Sequence, residues 1–169
     1  MLEATKGINV YNEVELFADN PHIDFHFGNS TSDYTARIIE NAQGTLTAYN
    51  SISSASDKRL KKDVSTIPDS YIKFVEKLIP HLYRFKNGSE YLNAGLIAQE
   101  VMELEKECGI EESVLVRGTG KEIKVNGQKI MDYYSIDYNA LLILLLKYTT
   151  NKIKGLEALL MKGINHDNN

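Results

Sequence analysis

The sequence predicts an α+β fold, and three observations carry that reading. The first third is a set of short alternating apolar runs split by turn residues. An Asn126-Gly127 pair sits between two further alternating runs, the strongest short hairpin signal in the chain. Between and after these lie three helix-spaced apolar stripes, of which the last is the longest.

The elements follow in order. Ile8, Val10, Val14 and Leu16 keep an alternating register until Asp19-Asn20-Pro21 breaks it. In His22-Ile23-Asp24-Phe25-His26-Phe27 the odd positions are apolar and the even ones polar, the pattern of a strand with one buried face. Gly28-Asn29-Ser30 turns the chain, and residues 34–39 and 45–49 supply two more strand-like runs. Four short strands with so few large apolar residues make a thin core. Such a segment is marginal alone and is better explained as one contribution to an interchain β-structure.

Ser51-Ile52-Ser53-Ser54-Ala55-Ser56 is a small-residue linker of the accessible kind. After it Pro68 suits the first turn of a helix, and Tyr71, Phe74, Val75 and Leu78 form an i, i+3, i+4, i+7 stripe that Pro80 ends. Residues 82–85 read as a strand closed by Asn87-Gly88, and Gly95-Leu96-Ile97-Ala98 leads into a helix that Gly109 caps. Residues 121–125 and 128–132 flank the hairpin turn. In the last helix Leu142, Leu146, Thr149, Ile153, Leu156 and Leu160 form a heptad seam, ringed by Leu141, Leu144, Leu145 and Leu159. That ring is wider than a dimer needs, so the helix reads as an oligomerisation element rather than simple intrachain packing.

Charge divides the chain at the linker. Residues 1–56 carry 2 basic and 7 acidic side chains, whereas residues 57–169 carry 17 and 16. The overall charge of −4, with no extended basic face beyond a short cluster after Ser56, argues against a nucleic-acid-binding protein. Cys108 is the single cysteine, so no intrachain disulfide forms. Residues 1–20 lack a basic start followed by an apolar core, and the longest apolar run, 140–146, is far too short to span a bilayer. No membrane partner is expected.

The cluster itself, Ser56-Asp57-Lys58-Arg59-Leu60-Lys61-Lys62, places a hydroxyl nucleophile five residues before a lysine. A serine and a lysine can cut a peptide bond without metal or histidine if the lysine is neutral enough to accept a proton. A free lysine, with a pKa of about 10.4, is almost wholly protonated at neutral pH. Desolvation, or repulsion from Lys58, Arg59 and Lys62, would make it a base. The plainer reading of a basic run is a solvated loop.

Three separated motifs carry a family resemblance. Ser56-Asp57-x-Arg59-x-Lys61-Lys62, then Gly95-x-Ile97-Ala98-Gln99-Glu100, then Asp137-Tyr138 opening a C-terminal helix, resemble the intramolecular chaperones at the C-termini of bacteriophage endosialidases, tail spikes and neck appendages. The resemblance spans about residues 56–160. It implies a distal β-stem end in residues 1–56 and a self-cleaving chaperone in residues 57–169, assembled as an intertwined homotrimer. Its partners would be copies of itself and its own upstream stem, in the host cytoplasm during assembly, with the mature stem in the virion tail. It implies Ser56 as nucleophile and Lys61 as base, with Lys62 a bystander and no cofactor or metal. Cleavage at Ser56–Asp57 follows the family pattern, whereas attack through a five-membered ring prefers Ala55–Ser56. The alternative is a permanent, non-cleaving trimeric receptor-binding tip. More loosely, residues 21–38 are similar to distal tail-fibre proteins from phages of Gram-positive bacteria.

Other candidates rank lower. His22, Asp24 and His26 share a strand face and are metal-ligand types, but a polar solvent-facing strand is the simpler reading. Glu100, Glu103 and Glu107 form a helical stripe that reads as a solvated face rather than a glycosidase site, the chain having no tryptophan to stack a sugar. Tyr133, Tyr134 and Tyr138 are expected to pack the hairpin against the last helix. Gly118-Thr119-Gly120-Lys121 lacks the spacing of a phosphate loop.

Overall fold

The structure, a computed structural model, describes residues 14–86 and 90–166. The chain divides into two compact units, Met1–Asp57 and Lys58–Asn169.

In the first unit, β1 (His22–Phe25), β2 (Ala36–Ala42) and β3 (Thr45–Tyr49) form an antiparallel sheet in the order β1-β2-β3. Cross-strand partners include Ile23↔Ile38, Asp24↔Arg37, Ile38↔Ala48 and Glu40↔Leu46, with a register shift between Glu40 and Ala42. The β1–β2 connection turns where the sequence says it should, with Gly28 and Asn29 both at positive φ (65° and 56°). Thr35 closes it, its hydroxyl donating to the Phe25 carbonyl at 2.7 Å and accepting the Phe27 N–H at 2.9 Å. The alternating pattern over residues 22–27 marks a face, yet that face is not buried: Ile23, Phe25 and Phe27 are all exposed. The reason is that the described residues of this unit supply no second layer, and Ile39 is their one buried hydrophobic residue. Residues 14–16 form no strand, while Ile8 and Val10 lie outside the described residues.

The second unit mixes helices with two-stranded ladders. Its elements are α1 (Ser70–Lys77), β4 (His81–Tyr83), β5 (Asn93–Gly95), α2 (Ala98–Glu107), β6 (Val116–Gly118), β7 (Glu122–Val125), β8 (Gln128–Met131), β9 (Tyr134–Ile136) and α3 (Tyr138–His166). β4 pairs with β5, β6 with β9 and β7 with β8, all antiparallel. The strand expected at 82–85 begins and ends slightly earlier, and Asn87-Gly88 lie outside the described residues. Phe74 and Val75 from α1, Val101 from α2, Ile110, Leu115, Val116 and Leu144 from α3 form one buried cluster.

Local chemistry fixes the helix ends. Gly109, at φ 69°, donates its N–H to the Lys106 carbonyl, and Ile110 donates to Glu105 at 2.9 Å. That pair of bonds satisfies two carbonyls that α2 leaves open, and Gly109 is the residue that tolerates the required conformation. Asp137 starts α3, its carboxylate accepting the Ala140 N–H at 2.9 Å. Asn126 and Gly127 both take positive φ (50° and 78°), the geometry of the tight hairpin turn the sequence signals.

α3 does not use its heptad seam within the chain. Ala140, Leu141, Leu144 and Tyr148 pack on the core, and Lys152 pairs with Glu76 of α1. Leu142, Leu146, Ile153, Leu156 and Leu160 each stay more than half exposed. The ring is buried and the seam is left open. No helix among the described residues is long and apolar enough to cross a membrane.

Phe74 is fully buried at the centre of this cluster. Phe74→Ala should destabilise the second unit by about 3–5 kcal/mol in urea unfolding, the usual range for truncating a buried aromatic residue. A loss below about 1 kcal/mol would mean the cluster is not the folding core.

Candidate functional site

Ser56 and Asp57 end the first unit in extended, exposed chain. Lys58–Leu60 form a single 3₁₀ turn at the start of the second unit, with the Lys61 N–H donating to the Lys58 carbonyl at 3.1 Å. Asp63 then takes a positive φ of 52°. Lys58, Arg59, Lys61 and Lys62 are all exposed. Three donors of positive charge therefore neighbour Lys61 in sequence, and in the single chain none of these side chains is withdrawn from water.

The other two motifs meet inside the second unit. Gly95 ends β5, and a β-carbon placed there would lie 2.1 Å from the Tyr138 hydroxyl oxygen and 3.3 Å from the Tyr83 ring. No side chain fits. The same Tyr138 oxygen accepts the Leu96 N–H at 3.0 Å and shares a hydrogen bond with Tyr83. Burial, followed by the Tyr138 charge and that hydrogen bond, pushes the Tyr83 hydroxyl pKa up. Tyr138 thus ties the first turn of α3 to the β4–β5 ladder, rather than packing the hairpin as the sequence suggested. Beside it Glu100 of α2 meets His81 of β4, carboxylate oxygen to Nε2 at 2.7 Å.

A second polar knot was not visible in the sequence. Glu105, nearly fully buried on α2, accepts a hydrogen bond from the Ser113 hydroxyl at 2.7 Å. Ser113 Oγ in turn accepts the N–H groups of Leu115 (3.2 Å) and Val116 (2.8 Å). The carboxylate is satisfied through a relay that also fixes the entry to β6. Burial, then the charges of Glu105 and Glu112, push the nearby Tyr71 hydroxyl pKa up. Nothing in the spacing of Glu105 and Ser113 announces this pairing.

The remaining candidates resolve as ordinary structure. Asp24 is gripped by Arg37, with Nε–Oδ1 at 2.5 Å and Nη2–Oδ2 at 2.6 Å, and that hydrogen bond lowers its pKa. His22 stands 3.6 Å from the same carboxylate, and His26 falls outside β1. Asp24 is committed to an arginine, as the polar-strand reading requires. Glu107 of the acidic stripe pairs loosely with Lys77 at 3.8 Å.

The second unit is therefore a mixed α and β domain ending in a long helix, with a basic segment at its entrance. Residues 56–114 match the family model described as the chaperone of endosialidase, a peptidase family. The match covers about a third of the chain and contains the first two motifs, so the resemblance to endosialidase-type intramolecular chaperones holds over that segment. A solved structure described as a novel intramolecular chaperon aligns at 23% identity and a TM-score of 0.44, covering 59% of this chain and 98% of that one. No curated protein matches.

Two outcomes test the Gly95–Tyr138 contact. Gly95→Ala should cost about 1–3 kcal/mol in urea unfolding, as overpacking does, and clearly less in a Tyr138→Phe background. Equal costs in both backgrounds would remove the contact from the explanation. Because Tyr71 and Tyr83 have raised folded-state values, their contribution is complete below the unfolded value of about 10 and is lost as pH rises through the folded values. Alkaline titration should therefore show stability falling only above about pH 10.

Proposed function

We propose that residues 57–169 act as a C-terminal intramolecular chaperone that gathers three chains, folds the distal β-stem of residues 1–56 and then releases itself by autoproteolysis. The observation that carries this reading is the family match, which begins at Ser56 itself. The open leucine seam of α3 supports the trimeric part, since a helix with that much exposed apolar surface is stable only when covered.

The cleavage is a single hydrolysis. Lys61 Nζ, once neutral, takes the Ser56 Oγ proton as the oxygen attacks the scissile carbonyl; the C–N bond breaks and the leaving amine takes the proton back. Water then hydrolyses the ester, leaving a carboxylate on one fragment and an amine on the other. The bond is Ser56–Asp57 on the family pattern, with Ala55–Ser56 the alternative that ring geometry favours. Lys61 is exposed in the single chain, so desolvation of its amine belongs to the assembled state, and cleavage would wait for assembly. The reaction needs no metal or cofactor, and one turnover per chain suffices because the substrate is tethered.

The device works kinetically. Interchain β pairing closes long loops before it gains contacts, so it is slow and exposes aggregation-prone edges. Bringing the chain ends together first lowers that barrier, and removing the helper leaves the stem no easy route back. Folding would take place in the host cytoplasm, with the stem kept in the virion tail.

Intact-mass spectrometry of freshly folded protein tests the reading. Wild type should give two fragments meeting at Ser56, and Ser56→Ala and Lys61→Ala should each remain full length. One undivided mass in all three would leave the permanent, non-cleaving tip as the function.

A further inference from the structure

The first unit carries an apolar face that its own chain leaves open. In a sheet, directly paired residues share a face, so Ile23, Ile38 and Ala48 lie together with Phe25, Ala36 and Leu46. Leu46 is 75% exposed and Ile23 51%. The opposite face carries the polar groups: Asp24 pairs with Arg37, whose guanidinium stacks 4.1 Å over Tyr34, itself 6.0 Å from Tyr49. The two faces are chemically distinct, and the wrong one for a lone sheet is bare.

We propose that this apolar face is an interface with the same face of other copies of this chain, so that Ile23, Phe25, Ile38 and Leu46 point inward and the Asp24–Arg37–Tyr34 face points to solvent. Four arguments select a copy of the chain as the occupant. A three-stranded sheet with one buried hydrophobic residue does not hold itself together, so its cover must be present whenever the unit is folded. The single charge on the face, Glu40, is already used by the Gly44 N–H at 2.7 Å, leaving no handle for a partner of opposite charge. β3, Thr45-Leu46-Thr47-Ala48-Tyr49, is an edge strand without charge or proline, lacking the usual protection against another strand. Lastly, the α3 seam would gather copies of the same polypeptide and raise their local concentration.

The inference rests on the assembly part of the proposed function and not on its cleavage. It is tested in the full chain, with Ser56→Ala keeping it whole, by maleimide labelling of Leu46→Cys and Thr47→Cys. Peptide mass spectrometry separates the label from Cys108, and light scattering gives the oligomeric state. In a lone chain position 46 is more open than position 47 and should react first. In the proposed assembly the order inverts, with position 46 at least about tenfold slower, because a wholly enclosed thiol waits for opening. An oligomer in which position 46 reacts as fast as position 47 or faster overturns the inference and leaves assembly through α3 standing. A monomer overturns both.

Discussion

Uncovered apolar surface is the constraint on which the rest of this molecule depends. The second unit folds around one cluster centred on Phe74 and Leu115, while the first has Ile39 alone among its described buried hydrophobic residues. Against this stand a sheet face and a leucine seam, both open to water. A single domain burying so little cannot offset the entropy of ordering its chain with much to spare. Folding and association are therefore one problem here. The two units answer it unequally: the second has a nucleus of its own, the first almost none.

That inequality gives the polar features their meaning. The Asp24–Arg37 pair and the Tyr34 stack add direction to the first sheet rather than stability, since partly exposed ion pairs contribute little. They decide which face stays wet. In the second unit the Glu105–Ser113 relay and the Tyr138 hydroxyl join elements distant in sequence, and both are satisfied by backbone N–H groups. Such knots specify an arrangement more than they strengthen it.

How much was legible in the sequence depended on the range of the interaction. Pro68, Gly109 and Asn126-Gly127 act on their immediate neighbours, and the helices and hairpin stand where those residues put them. The heptad spacing of Leu142 to Leu160 was equally readable, but whether the seam or its ring faces the core was not, because both faces of α3 are apolar. Gly95 and Tyr138 stand in separate motifs, and no spacing rule says that one must lack a side chain because the other fills its space. The Ser56–Lys61 segment shows the opposite case. Its chemistry is legible from residue types, while the desolvation that chemistry needs belongs to more than one chain.

The β7–β8 hairpin holds itself apart from all this. Its strands pair with each other and make no close packing with any other described element, and seven of their eight residues are exposed. An isolated two-stranded ribbon is marginal in water, so its amides should open far more often than those of α2 or β6. The consequence is a hierarchy of unfolding within one small domain: this arm can lose and regain its order while the core beneath it remains shut. A proteolytic nick at its tip would then leave the Phe74 cluster folded, and the arm is free to vary in length or sequence without penalty to the nucleus that supports it.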